Sequence, residues 1–373
     1  MASVTKRLLT RQKYCDRFSN MENISVNYNN LLSRIQDKPF VLYLGAGINP
    51  NFCPKWDKLI ENLLTHAINH ILADKNQTSN SKKAIIKYLT NSTNIYYKGA
   101  VIKTILGDEY INAIQDEVYK NYNEQKIKEA YDSWCGIKND VKAGKITINQ
   151  IDKKIKNYLY TILCAELCSE RNIVAVLTTN YDNYLTYIIN LIGKRKAYNV
   201  FQSKHENPMD DRLPIFNFHG YFSPPNDFRK MTEHNIVLSQ DEYFQIMFEP
   251  YSWQTSTQLH FLMNYTCLIL GASLDDWNMQ RMFSFAKKYS KNDNFYILTT
   301  DLYSKIAGDD YGLNYEDKEF TNSVLSRIRS SVYSGLGINT IDCGRSFDNI
   351  YKKVFEIINI INESNKKNGE NDL

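Results

Sequence analysis

The chain has 373 residues, 43% of them apolar and 13% aromatic, enough to bury a large core in one big domain or two modest ones. Its 45 basic and 41 acidic side chains leave a formal charge of only +4 and are interspersed, so composition marks out no basic stripe for nucleic acid. The start, Met1-Ala2-Ser3-Val4-Thr5-Lys6-Arg7, has no apolar signal core and no run approaches the ~18 apolar residues that span a bilayer, so a cytoplasmic protein without membrane attachment is expected.

Residues 1–22 are polar and aperiodic and are expected to be loosely ordered. The first apolar run, Phe40-Val41-Leu42-Tyr43-Leu44, reads as a buried strand and leads straight into Gly45-Ala46-Gly47. Pro54-Lys55-Trp56 then opens a helix in which Trp56, Leu59, Ile60, Leu63, Leu64, Ala67, Ile68 and Ile71 share one face. From there to Arg171 no run reads as a strand, and 58–170 is expected to be a helical insertion within a domain spanning 23–362. Its strongest helix is expected to start at Thr147-Ile148-Asn149-Gln150, where the Thr hydroxyl and Gln amide can cap each other's backbone donors, and to run through Leu167. The many lysines between 120 and 156 read as a solvated helical face.

Further strands are expected at Ile173-Val174-Ala175-Val176-Leu177, Ile215-Phe216-Asn217-Phe218, Cys267-Leu268-Ile269-Leu270, Phe295-Tyr296-Ile297-Leu298 and Ile338-Asn339-Thr340-Ile341. One helix is expected through Met279, Met282, Phe283, Ala286 and Tyr289, and another through Ile350, Val354, Ile357, Ile358 and Ile361. A loosely ordered tail, 363–373, should follow. Strands alternating with helices make this an α/β protein: a Rossmann-like parallel sheet with flanking helices and a large helical insertion. Seven cysteines, an odd number without a Cys-x-x-Cys pair, point to free thiols and no structural zinc.

Four turns at strand ends could carry chemistry. Gly45-Ala46-Gly47 lets backbone amides approach a phosphate, although such a turn is also an ordinary strand-to-helix connection. It is neither the Gly-x-Gly-x-x-Gly fingerprint, since position 50 is Pro, nor a Walker loop. Gly271-Ala272-Ser273-Leu274-Asp275-Asp276 is a second glycine turn, in which either aspartate can serve as the N-cap of the next helix. Asn180, in Thr178-Thr179-Asn180-Tyr181-Asp182, ends one strand, and His219-Gly220 ends another. Asn also terminates strands for purely conformational reasons and a lone His is often a bonded core residue, but all four turns would share one sheet edge, where such folds bind nucleotides.

Taken in order, these motifs resemble the sirtuin (silent information regulator) family over roughly residues 36–300. The resemblance implies that Gly45, Ala46 and Gly47 lie along the NAD pyrophosphate, that Asn180 lies beside the nicotinamide ribose, that Asp182 is the family's cofactor-binding aspartate two residues beyond it, and that His219 is a general base toward that ribose. It assigns Gly271, Ser273 and Leu274 to the adenosine-side ribose and phosphates. The two Cys-x-x-Cys pairs of the deacetylases have no counterpart, since the stretch from Gly220 to Leu270 contains only Cys267. The chain looks instead like the zinc-free sirtuin-like domains of bacterial antiphage defence systems.

That likeness implies an NAD-depleting effector whose substrate is NAD+ and which needs no metal. Asn180 and His219 would be its catalytic residues, acting through stabilisation of an oxocarbenium-like ribose and delivery of water. It further implies a homo-oligomer, a separately encoded defence partner such as an ATPase or nucleotide-handling enzyme, or both. Two alternatives stay open: a sirtuin-type deacylase or ADP-ribosyltransferase, and a non-catalytic nucleotide-binding assembly subunit.

Overall fold

The computed structural model describes residues 24–49, 51, 53–72, 79–92, 94–201, 211–224, 236–289, 294–308 and 312–370. Seven strands, β1 (Phe40–Leu44), β2 (Ile173–Thr178), β3 (Ala197–Val200), β4 (Leu213–Asn217), β5 (Thr266–Leu270), β6 (Phe295–Thr299) and β7 (Ile338–Asp342), form one sheet. Their order is β3-β4-β2-β1-β5-β6-β7, and every pairing is parallel. The α/β Rossmann-like class read from the sequence is therefore observed. β3 is a strand that the sequence does not announce: at four residues, with Tyr198 and Asn199 only half-buried, it lacks the apolar run that marks the others.

Among the described residues the α-helices are α1 (Ile24–Ile35), α2 (Trp56–Ile71), α3 (Ser79–Ser92), α4 (Ile95–Leu106), α5 (Tyr110–Tyr119), α6 (Glu124–Lys142), α7 (Lys153–Cys168), α8 (Tyr184–Ile192), α9 (Gln240–Phe248), α10 (Trp253–Asn264), α11 (Trp277–Tyr289), α12 (Tyr303–Gly308), α13 (Tyr315–Gly335) and α14 (Phe347–Glu370). Side chains alternate across the pleat and supply two cores. Phe40, Leu42 and Leu44 join the larger one with residues of α1, α2, α7, α8 and α14, whereas Val41 and Tyr43 join residues of α10 and α11 on the opposite face. Strands covered on both faces read as near-continuous apolar runs, as β1, β2, β5 and β6 do.

Two boundaries and the burial of two residues differ from the sequence reading. The Thr147–Gln150 capping interaction forms, with the Thr147 amide donating to Gln150 Oε1 at 2.9 Å, but it closes a separate 3-10 turn at Ile148–Gln150. The α-helix starts afresh at Lys153, where Asp152 accepts from the Lys154 amide at 2.7 Å. The expected loose tail from Glu363 is instead helical to Glu370, because Ile361 and Ser364 are buried and the Ser364 hydroxyl donates to Asp37. Ile71 and Tyr289, expected on core faces, are 46% and 60% exposed, each lying at the end of its helix. Residues 1–22, together with Pro50 and Phe52, lie outside the described residues.

Between β1 and β2 the described residues form helices and turns but no strand, and two of these helices brace the carboxyl edge of the sheet. Thr161 Oγ1 of α7 lies 2.8 Å from both the Ile48 carbonyl and Asn49 Oδ1. Tyr119 of α5 donates to the Phe222 carbonyl at 2.5 Å and accepts from the Asn183 amide at 3.0 Å. Among the described residues no helix is long and apolar enough to cross a membrane.

Candidate functional site

Register brings the four turns together. Leu44 pairs with Thr178 and with Leu270, and Thr178 pairs with Asn217, so the last paired positions of β4, β2, β1 and β5 form one row across four adjacent strands. Asn180 and His219 each lie two residues beyond a member of that row. The loops continue the pairing: the Phe218 amide donates to the Thr178 carbonyl at 2.9 Å, and Asn217 Nδ2 donates to the Asn180 carbonyl at 2.9 Å. The chain passes from β1 to strands on one side of it and returns to β5 on the other, which makes the β1/β5 boundary the topological switch point.

At that boundary the two glycine turns touch. The Gly45 amide donates to the Leu270 carbonyl at 3.0 Å and the Gly47 amide to the Gly271 carbonyl at 2.8 Å. These amides, read from sequence as phosphate donors, are thus engaged by the neighbouring turn. Glycine is required here for close approach: a Cβ on Gly45 or Gly47 would lie 2.5 or 2.6 Å from the Gly271 carbonyl oxygen. Ala46 begins a 3-10 turn that ends at Ile48. Ser273 is exposed, and its carbonyl accepts from the Tyr333 hydroxyl at 2.9 Å. Leu274 is buried with φ 61°, the one non-glycine residue in the left-handed region among those described, a conformation costing roughly 1–2 kcal/mol.

His219 is 5% exposed, and its Nε2 lies 3.5 Å from Asp276 Oδ2. Burial lowers its pKa from the ordinary 6.5, while the Asp276 charge acts in the opposite sense. The other oxygen of Asp276 is structural. Oδ1 accepts from the Met279 amide at 2.8 Å, capping α11, and from the Tyr243 hydroxyl at 2.9 Å. Tyr243 in turn accepts from the Asn278 amide at 2.6 Å, and its ring stands edge-on to His219 with centroids 6.3 Å apart. In the sequence Asp276 reads only as a helix cap; its approach to His219 depends on a tertiary contact that spacing does not reveal.

Asn180 is buried at 9% exposure, and its amide donates to Thr178 Oγ1 at 3.0 Å. Among the described residues its side-chain carboxamide has no hydrogen-bond partner. Leu44, Thr178, Asn180, Asp182 and Asn217 help line a cavity of about 10 Å³, room for roughly one water and not for a nucleotide.

Asp182 belongs to a different network. Its Oδ1 accepts from Asn49 Nδ2 at 3.0 Å and from the Tyr184 amide at 3.1 Å, tying the first glycine turn to the Asn180 turn. Burial pushes its carboxyl up to about 6 against these hydrogen bonds, from an ordinary value of 3.8. The folded protein then holds a proton that the unfolded chain has released between those two values. This group's contribution to stability is therefore full below about pH 4 and lost as pH rises through about 6. Asp182→Asn keeps the Oδ1 acceptor and removes the buried charge. Its thermal unfolding at neutral pH is expected to match or exceed that of wild type, by on the order of 1–3 kcal/mol, with the difference closing toward pH 4. A variant that melts lower at neutral pH would show that the carboxylate is needed as a charge.

Comparison with known proteins finds a similarity over part of the chain. Residues 174–323 match the family model described as SIR2-like domain. The chain carries a sirtuin-like domain. The matched stretch begins in β2 and includes Asn180, Asp182, His219, Tyr243, Gly271 and Asp276, whereas the Gly45 turn lies outside it. The SIR2-like match supports an NAD-related function. No curated protein matches the sequence. Among the described residues no group of three or more His, Cys, Asp or Glu side chains could hold a metal ion.

Proposed function

We propose that this protein is an NAD glycohydrolase, converting NAD+ and water to nicotinamide, ADP-ribose and a proton, and that it serves as an NAD-depleting effector of bacterial antiphage defence, activated by a partner or signal. The observation that carries the reading is the register of the four strand ends, which brings the Asn180 carboxamide and a neutral-leaning His219 imidazole to the ends of neighbouring strands beside the switch point. The substrate would lie along the rim of the turns, since the cavity beneath holds only about one water.

In this scheme the nicotinamide is already a cationic leaving group, so the site has only to stabilise positive charge on the ribose and to manage one proton. His219, with its pKa held below the ordinary value by burial, is unprotonated at neutral pH and takes the proton from a ribose hydroxyl or from the attacking water. Asp276, 3.5 Å away, then faces the imidazolium that forms. Asn180 orients the ribose or the water through its carboxamide.

The test is chromatography of NAD+, nicotinamide and ADP-ribose over purified protein, alone and with the products of neighbouring genes. Wild type is expected to release nicotinamide and ADP-ribose in equal amounts. Asn180→Ala should bind NAD+ while losing turnover. Nicotinamide accompanied by a modified protein would point to acyl or ADP-ribosyl transfer, and binding without turnover under every condition would leave a nucleotide-binding assembly subunit.

A further inference from the structure

A directed chain of hydrogen bonds runs from helix α8 across β3 and β4 to the turn that follows β2. The Thr186 hydroxyl of α8 donates to Asn199 Oδ1 of β3 at 2.7 Å, Asn199 Nδ2 donates to Asn217 Oδ1 of β4 at 2.8 Å, and Asn217 Nδ2 donates to the Asn180 carbonyl at 2.9 Å. The last acceptor is a peptide carbonyl, which cannot donate. Asn217 must therefore turn its nitrogen to Asn180 and its oxygen to Asn199, and Asn199 must turn its nitrogen to Asn217 and its oxygen to Thr186. One end fixes the direction of every bond. Asn217 is fully buried, Thr186 and Asn199 are half-buried, and all three line the water-sized cavity beneath the turns, so the amides have little room to swing.

The chain ends where the sheet ladder stops. Register pairing of β2 with β4 closes at Thr178 and Asn217, and the Phe218 amide takes the Thr178 carbonyl. Beyond that point side chains replace backbone. The Asn180 amide donates to Thr178 Oγ1 at 3.0 Å, the Thr178 hydroxyl donates to the Leu44 carbonyl of β1 at 2.7 Å, and the Asn180 carbonyl accepts from Asn217. Both backbone polar groups of Asn180 are thus held by side chains, in bonds in which its own carboxamide takes no part. We propose that Asn217 is a positioning residue for Asn180, held in its working orientation by Asn199 and Thr186. The role rests on the reaction proposed above. Loss of the Asn217 donor would free the Asn180 carbonyl and let that peptide rotate, carrying the carboxamide away from the ribose or water while leaving the rest of the rim in place. Such a change lowers kcat and leaves KM for NAD+ nearly unchanged.

Asn217→Leu, close in shape but without a donor, is expected to lower kcat for nicotinamide release at least about 10-fold with KM within about 3-fold of wild type. Asn199→Ala, at a half-buried position where folding should survive, should lower kcat by a smaller factor and carries the same test if Asn217→Leu does not fold. The double variant should be no slower than Asn217→Leu alone, because both changes break one chain. Asn172 is the control for a purely structural asparagine. At the opposite end of β2 its Nδ2 also donates to backbone carbonyls, those of Ile35 at 3.3 Å and Gln36 at 3.0 Å, so Asn172→Ala should lower the melting temperature and leave kcat alone. A readout that needs no turnover is NMR of the full chain with isotope-labelled asparagine amides, in which the Asn180 side-chain signal, assigned by its loss in Asn180→Ala, should shift in the Asn217 or Asn199 variant. Unchanged kcat, a loss confined to KM, additive losses in the double variant, or an Asn180 signal that stays in place would each overturn the proposal. If wild type itself releases no nicotinamide, the hydrolase reading fails, and the Asn180 signal alone decides the positioning.

Discussion

His219→Ala is expected to lower nicotinamide release by about 10²–10⁴-fold, the usual contribution of a positioned general base. NAD+ binding should change little, because the hydrogen bonds that hold the four turns together do not involve the imidazole. Asp276→Asn gives a sharper reading of the same site. Asparagine caps a helix as well as aspartate does, and its carbonyl can still accept from Tyr243 and Met279, so the substitution removes charge and leaves geometry. The Asp276 charge raises the His219 pKa against the lowering by burial. Its removal should move the acid limb of the pH–rate profile to lower pH while also reducing the maximal rate, since the imidazolium then has no counter-charge. An acid limb that stays in place, or that moves up, would mean that His219 is not the titrating base. Unchanged turnover in His219→Ala would remove the mechanism altogether.

The parts of this site written as a short turn after an apolar run were legible in the sequence. Gly45, Asn180, His219 and Gly271 stand at or just beyond such runs, and a parallel sheet delivers the carboxyl ends of its strands to one edge. What could not be read were relations between segments far apart in the chain. Whether Gly47 meets a phosphate or another turn depends on β1 pairing with β5, and the glycines prove to be needed for that approach. The two roles of Asp276 look identical in sequence, because a helix cap and a histidine partner require the same residue type. Strand β3 escaped notice because an edge strand with Tyr198 and Asn199 half-buried carries no apolar run. Helix α13 escaped for the opposite reason: its apolar period is intact but points away from the core.

Gly271→Ala should be among the most damaging single changes outside Asn180 and His219, lowering stability by about 2–5 kcal/mol. Two costs combine. Gly271 has φ 66°, where a residue with a β-carbon is strained, and its added Cβ would lie 2.6 Å from the Ile48 nitrogen and 2.9 Å from the Gly47 carbonyl carbon. Both of these are backbone atoms, so one of the two turns must move. The shift would carry Leu274 and Asp276 with it, because they follow in the same turn, and would part Asp276 from His219. Stability and turnover should therefore fall together, by thermal melting and by nicotinamide release. Gly136→Ala is the matched control. Gly136 sits exposed within α6, a Cβ there meets nothing within 4 Å, and alanine should stabilise the helix by about 0.8–1 kcal/mol without touching the site. If the two alanines had the same effect, the contact between the turns could not be what requires glycine at 271.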